Sequence, residues 1–159
     1  MKPIVAFPFR HHNTLYCEEA KKQLRDAGFA LVCNDTGTQL NREEQKALIR
    51  NAFAVVAGTE RYDRDILSAA EQLKLVMRFG VGTDNFDLEA MEEKGIRVGV
   101  ISNCNAVAEF ALTLMLGALK NITSCDSAVR KASWARYPMY ELRGKTVGLV
   151  GFGRIGKRL

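Results

Sequence analysis

The sequence predicts an α/β fold in two parts, and two patterns support this prediction. In residues 1–101, short apolar runs alternate five times with helical patterns, which is typical of a parallel sheet with helices on both faces. The second pattern is an apolar, partly β-branched run at residues 146–150, followed directly by Gly151, Gly153 and Gly156. A long polar stretch precedes that run, so we predict that it begins a new unit and does not join the first sheet.

The strands of the first part are predicted from apolar runs that end at glycine or polar residues. They cover residues 2–7, 29–33, 54–57, 75–79 and 97–101. Ligands of doubly wound parallel sheets bind beyond the carboxyl ends of the strands. The loops in which to look for a site are therefore residues 8–13, 58–62 and 80–86.

The helices between these strands are predicted from their capping residues. Their expected caps are Asn13 or Thr14, Asn41, Asp63 and Asp87, and the helices end near residues 26, 50, 70 and 94. Asn41 and Glu44 have the spacing of a capping box. Residues 106–120 form a longer helix that is apolar nearly all round, so we expect it to be buried on several sides.

Two of the three loops contain residues that suggest chemistry. The first has no glycine to cradle a pyrophosphate, and its His11 and His12 are interpreted as exposed loop histidines because no carboxylate partner can be assigned to either. The third loop begins at Arg78 and contains Gly80 and Gly82. It is either an anion-binding nest beside a fixed positive charge or a tight turn in which Asp84 and its neighbour satisfy local backbone groups. The sequence leaves both alternatives open.

The glycine cluster in the second part has the spacing G-x-G-x-x-G, after a predicted strand and before a predicted helix. Glycines at this spacing allow a tight turn and a close backbone approach to a pyrophosphate, which the helix amino terminus then attracts. The alternative is a strand-to-helix turn that binds no nucleotide.

Charge and cysteine content restrict the possible partners and location. Residues 120–159 carry nine Lys or Arg against two acidic residues, but no stacking aromatics are interleaved with them. We interpret these charges as solvated surface plus attraction for a pyrophosphate, and expect neither nucleic acid nor a membrane as partner. The four cysteines have no C-x-x-C or metal-site spacing, and no signal peptide is recognised. Reduced thiols and a cytoplasmic protein without a metal are therefore expected.

Three segments of the sequence are similar to one known family. They are LKLVMRFGVGTDNFDL (73–88), NAVAE (105–109) and ELRGKTVGLVGFGRIG (141–156), with Trp134 before the last. They resemble the D-isomer-specific 2-hydroxyacid dehydrogenases, of the phosphoglycerate dehydrogenase-like kind. The resemblance implies a flavodoxin-like parallel-sheet substrate (lid) domain over residues 1–101. It also implies that residues 102–159 are an interdomain and dimerisation helix, a linker and the truncated start of a Rossmann NAD-binding domain.

The resemblance also implies site residues. The substrate carboxylate would be bound by the backbone amides of Val81 and Gly82, with Arg78 and Asn103 nearby. The NAD pyrophosphate would lie on the turn formed by Gly151, Gly153, Arg154, Ile155 and Gly156. The family's catalytic arginine and its histidine–glutamate pair lie downstream of this turn. No catalytic residue is therefore assigned here, and the chain is expected to be inactive alone.

Two positions depart from the family pattern. Many members have Thr-Pro-Gly where this chain has Ser102, Asn103 and Cys104, in the hinge. Ala57 stands where phosphoglycerate-specific members often have an arginine, which argues against a phosphorylated substrate.

The function implied by the resemblance is an NAD-dependent oxidoreductase. It would transfer hydride between nicotinamide and a small 2-hydroxy or 2-keto acid, as a homodimer formed through the helix at 106–120. The alternative is a non-catalytic flavodoxin-like binding or interaction module. That alternative needs an acidic cluster or a cofactor loop at the strand ends, and Asp35, Asp63 and Asp84 do not form a convincing one.

Overall fold

A computed structural model describes residues 2–13, 15–101 and 104–159, with the backbone alone for residues 15 and 16. The chain divides into two units, Met1–Ser102 and Asn103–Leu159. The first unit contains the sheet and the second contains two helices and the glycine turn.

The first unit is built on five parallel strands, as the alternating pattern predicted. Their order in the sheet is β2-β1-β3-β4-β5, which is the flavodoxin-like order. The strands are β1 (Ile4–Phe7), β2 (Ala30–Cys33), β3 (Ala52–Ala57), β4 (Leu75–Arg78) and β5 (Arg97–Val100). Because β1 pairs with β2 on one side and β3 on the other, the strand order reverses beside β1.

The helices of the first unit are short, and three of their predicted caps are confirmed. They are α1 (Leu15–Asp26), α2 (Arg42–Ile49), α3 (Arg64–Ser68) and α4 (Leu88–Glu93). Asn41 and Glu44 form the reciprocal capping box at α2, and the side chains of Asp63 and Asp87 cap α3 and α4. Of the expected caps of α1, Thr14 lies outside the described residues, and the side chain of Asn13 accepts a hydrogen bond from Lys21 at 3.2 Å.

Alternation of side chains along the strands produces two apolar cores. Val5 and Phe7 of β1 belong to one cluster, while Ala6 between them belongs to the other. Successive side chains of a strand point to opposite faces of the sheet, so both faces are covered. The larger cluster is centred on fully buried side chains such as Val55, Tyr62, Ile66, Val76 and Met91.

The second unit contains one predicted helix and one that the sequence analysis missed. The predicted helix is α5 (Asn105–Leu119), and the missed one is α6 (Ile122–Arg130). The two are separated by Asn121, which has φ +49°. The prediction of a polar linker overlooked a signal of an amphipathic helix, which is the spacing of the apolar residues Ile122, Cys125, Ala128 and Val129.

The prediction that α5 is buried on several sides is wrong for the single chain. Among its described residues only Ala108 is buried, and Val107, Phe110 and Leu114 are 49%, 63% and 57% exposed. The second unit has too little other structure to cover a helix that is apolar on most sides.

The predicted strand at residues 146–150 is also absent. No strand is assigned there, so the segment is not a sixth member of the sheet. Val147 and Leu149 remain 46% and 43% exposed. A parallel strand is defined by hydrogen bonds to a neighbour, and none pairs with these residues in the part of the chain that the structure describes.

No single described helix has both the length and the apolar character needed to cross a membrane. The pair α5 and α6 passes the same test together, but the two helices are bent by 66°.

A surface ion-pair network predicts how the first unit responds to acid. Arg42 donates to both oxygens of Asp63, at 3.0 and 2.9 Å, and lowers the pKa of that carboxyl to about 2, helped by the Ile66 N–H. Asp63 therefore adds stability above its ordinary pKa of 3.8, and this stability is lost as the pH falls through about 2. We expect Arg42→Gln to destabilise the chain near neutral pH, with a difference that shrinks between about pH 5 and about pH 2.

The measurement is urea unfolding of both chains across that pH range. Arg50→Gln, at an exposed residue without an ion pair in the described part, is the matched control. A destabilisation by Arg42→Gln that does not change with pH would contradict the assignment.

Candidate functional site

A cleft of about 590 Å³ opens at the carboxyl edge of the sheet in the first unit. This is the edge at which ligands of doubly wound sheets bind, next to the point where the strand order reverses. Each of the loops after β1, β2 and β3 contributes to it, as does the end of β4. The lining residues are Phe9, Arg10, His11, Gln39, Gly58, Thr59, Glu60, Arg78 and Phe79.

Two stacked aromatic rings form the apolar part of the cleft. The rings of Phe9 and Phe79 lie 5.6 Å apart and are inclined by 12°. Phe9 is buried, whereas Phe79 is 53% exposed. Stacked rings of this kind give a cleft a stiff apolar surface.

Arg78 ties two loops of the cleft together. Its Nε donates to the carbonyl of Gly82 at 2.9 Å, and its Nη1 donates to the carbonyls of Gly58 and, at 3.4 Å, Ala57. Asn85 adds a second tie, because its amide donates to the carbonyl of Glu60 at 2.5 Å. Nε and Nη1 of Arg78 therefore donate inside the protein, whereas Nη2 forms no hydrogen bond among the described residues.

The turn after β4 combines features of both interpretations offered by the sequence. Gly80 has φ +153°, and a Cβ there would lie 3.3 Å from the Arg78 guanidinium carbon. Within the described residues, the N–H groups of Val81 and Gly82 have no hydrogen-bond partner. The carboxylate of Asp84 lies beside Gly82, because a Cβ on that glycine would be 3.1 Å from its Oδ2. Carboxylate binding by these amides stays a prediction.

Glu60 is a feature of the cleft that sequence reasoning missed. It is 6% exposed, and its Oε2 accepts a hydrogen bond from the Gly58 N–H at 2.8 Å. A side chain at Gly58 would clash, since its Cβ would lie 2.6 Å from that of Phe9. The signal in the sequence is an acidic residue that closely follows a buried strand, two positions after a glycine.

The interpretation of both loop histidines as exposed is wrong for His12. His11 is exposed and lines the cleft, whereas His12 is 1% exposed. Its Nε2 lies 2.6 Å from the carbonyl of Asn34, which only accepts, so Nε2 carries the proton. Its Nδ1 therefore accepts from the buried ammonium of Lys21 at 2.7 Å. His12 anchors the first loop to α1 and to the end of β2.

The glycine turn of the second unit has part of the geometry that a pyrophosphate site needs. Gly151 has φ +94°, and a Cβ on Gly156 would lie 2.7 Å from the Gly151 carbonyl oxygen. The Lys157 N–H donates to the Gly153 carbonyl at 2.9 Å, which closes a first helical turn. The N–H groups of Gly153, Arg154 and Ile155 form no hydrogen bond within the described residues. The helix predicted after this turn is not assigned, and the role of these N–H groups in binding a pyrophosphate stays a prediction.

Three further expectations concern Asn103, a metal site and the cysteines. Asn103, expected near a substrate, lies outside the described residues. Among the residues that the structure describes, no group of His, Cys, Asp and Glu could hold a metal ion. No disulfide joins the four cysteines, all of which are described.

Comparisons with known proteins identify what this arrangement is similar to. A family model, "D-isomer specific 2-hydroxyacid dehydrogenase, catalytic domain", matches residues 11–147. The D-3-phosphoglycerate dehydrogenase of Methanocaldococcus jannaschii is 38% identical over 89% of this chain, and the glyoxylate reductase of Thermococcus litoralis is 37% identical over 64%. The chain spans 27% and 34% of those two proteins.

A solved structure also matches nearly all of this chain with only part of its own length. The TT0316 protein of Thermus thermophilus matches with a TM-score of 0.81 and 26% identity. The match covers 98% of this chain and 50% of that one.

The position of Arg78 between two loops predicts the effect of replacing it. Arg78→Lys retains the charge but loses the fork that reaches carbonyls in different directions. We expect a loss of about 1–3 kcal/mol in unfolding free energy, because buried carbonyls lose their donor. Urea unfolding measures this loss.

Arg97→Lys, at an exposed arginine on β5 whose side chain forms no hydrogen bond or ion pair in the described part, is the matched control. Equal stability of the two variants would show that Arg78 contributes charge alone.

Proposed function

The chain belongs to the D-isomer-specific 2-hydroxyacid dehydrogenase family, and on that premise we propose that it supplies the substrate (lid) domain and the start of the NAD-binding domain of such an enzyme. The enzyme would transfer hydride between a nicotinamide and a small 2-hydroxy or 2-keto acid. The observation that carries the proposal is the turn after β4, where the N–H groups of Val81 and Gly82 stand without partners in the described residues, at the carboxyl edge of the sheet.

The proposed role of the turn is to bind the substrate carboxylate. Backbone amides in a glycine turn form a concave site for an anion without placing a mobile side chain in it. Arg78 supports this role indirectly, because it bonds the carbonyl of Gly82 and so orients the peptide that follows the two amides. Arg78 would thus be a positioning residue, and its remaining positive charge would favour an acid nearby.

The proposed cofactor is NAD, with its pyrophosphate on Gly151, Gly153, Arg154, Ile155 and Gly156. Support comes from the close approach of Gly156 to the Gly151 carbonyl, which a side chain would prevent. When bound, the nicotinamide accepts or supplies the hydride. The described residues of this chain would bind and orient the acid and the pyrophosphate.

The proposed partner is a second copy of the chain, through α5. A stripe that includes Phe110 and Leu114 is too apolar and too exposed to be a stable surface of a monomer. Homodimers bury such faces in self-complementary interfaces. A cytoplasmic location belongs to the same proposal and is supported by the absence of a disulfide among the four cysteines, all of which are described.

Carboxylate binding can be tested on the chain itself by nuclear magnetic resonance. We expect the amide signals of Val81 and Gly82 to shift on titration of the isotope-labelled chain with D-lactate, because the anion would accept their hydrogen bonds. Glycerol, which has hydroxyls but no carboxylate, is the control and should leave these signals in place. Unchanged signals at high D-lactate would contradict the proposed site.

The dimer is tested by light scattering. We expect the wild-type chain to scatter as twice its mass of 17.7 kDa. Phe110→Glu with Leu114→Glu should give a monomer, because each places a charge in the apolar interface. Trp134→Glu, at an apolar residue that is 88% exposed outside α5, is the matched control and should remain dimeric. A monomeric wild-type chain at micromolar concentration would refute this partner.

A further inference from the structure

One carboxylate oxygen in the cleft has no hydrogen-bond partner among the described residues. Glu60 is only 6% exposed, and its Oε2 accepts the Gly58 N–H. Its Oε1 accepts no hydrogen bond within the described part of the chain. Tyr62 Oη is the only described side-chain nitrogen or oxygen atom that is both fully enclosed and unpaired, so Glu60 Oε1 is not fully enclosed, and Glu60 is one of the residues that line the cleft.

A buried acceptor of this kind indicates the chemistry of a ligand. Removing a carboxylate from water costs free energy unless each oxygen regains hydrogen bonds. A ligand that donates a hydrogen bond to Oε1 would restore the missing one. A ligand with a methyl group facing Oε1 would exclude water from this oxygen without supplying a hydrogen bond in its place.

The charges around the cleft allow an acid to approach despite Glu60. Arg10 and Arg78 line the same cleft and carry two positive charges against the single carboxylate. Arg78 uses Nε and Nη1 on carbonyl oxygens, but its charge remains. The local field therefore favours a small anion, while the immediate neighbourhood of Oε1 disfavours a negative group.

We propose that this cleft holds the part of the substrate beyond C2, and that Glu60 accepts a hydrogen bond from a free hydroxyl on C3. The inference rests on the proposed function, since it takes the carboxylate of the same substrate to lie at Val81 and Gly82. The preferred class is a small 2-hydroxy or 2-keto acid with an unmodified C3 hydroxyl. A C3 phosphate has no proton to donate when doubly ionised and is repelled by Glu60, and Ala57 offers it no cation.

The test compares three acids that differ at C3. The isotope-labelled chain is titrated with D-glycerate, D-lactate and D-3-phosphoglycerate, and the amides of Thr59 and Gly82 are followed. We expect D-glycerate to bind at least about tenfold more tightly than D-lactate, which is the lower end of the range for one hydrogen bond to a charged group. D-3-phosphoglycerate should bind more weakly than D-glycerate, and Thr59 should shift most with D-glycerate.

A variant then assigns the preference to Glu60. Glu60→Gln has nearly the same shape but no charge, so its amide can form only a weaker, neutral hydrogen bond with the C3 hydroxyl, and the preference for D-glycerate over D-lactate should shrink well below tenfold. Glu71→Gln, at an exposed acid away from the cleft, is the matched control and should retain it. Because the comparison of ligands uses the wild-type chain, it stands even where Glu60→Gln fails to fold.

The outcomes distinguish a failure of this inference from a failure of the proposed function. Equal affinity for D-glycerate and D-lactate, with Gly82 shifting in both titrations, would overturn the role of Glu60 and leave carboxylate binding intact. A Glu60→Gln chain that kept the tenfold preference would also overturn the role of Glu60 alone. No shift at Gly82 with any of the three acids would overturn both.

Discussion

The pairing of parallel strands on both sides of β1 is the constraint from which the rest of the structure follows. The backbone N–H and C=O groups of the three inner strands, β1, β3 and β4, find their partners on the strands at either side. The edge strands β2 and β5 pair on one side only, and apolar side chains cover both faces of the sheet. Residues 146–150 have the composition of a buried strand, yet they adopt no strand because no neighbour pairs with them in the described part of the chain. The composition of a segment favours a strand, but the strand forms only where a neighbouring strand pairs with it.

The same constraint gathers the loops that form the cleft. Parallel strands all end at one edge, so the residues after β1, β3 and β4 meet there although they are far apart in sequence. Buried polar contacts then hold these loops in one arrangement. His12 and Lys21 anchor the first loop, and Arg78 and Asn85 join the other two. Such networks are costly if incomplete, so they restrict the loops to few conformations.

The proposed chemistry depends on the hydrogen-bonding groups that these contacts do not use. The amides of Val81 and Gly82 and one oxygen of Glu60 are groups at this edge without partners in the described residues. The first two are donors suited to a carboxylate, and the third is an acceptor suited to a hydroxyl. In the proposed function, a site with both kinds of group at one edge would hold a small acid from two ends and so fix its orientation.

The sequence by itself determined the order of strands and helices in the first unit, the caps at Asn41, Asp63 and Asp87, and the glycine turns after β4 and at 151–156. These features depend on local spacing, periodicity and side-chain-to-backbone bonds, which are visible in a window of a few residues. Only the tertiary structure decided that His12 is buried, that Arg78 serves carbonyls of two loops, that α5 is uncovered and that Glu60 faces a cleft. Each of these depends on residues far apart in the chain, or on the lack of a covering element in the described residues. No local pattern records such distances, because burial and pairing are properties of the packed chain.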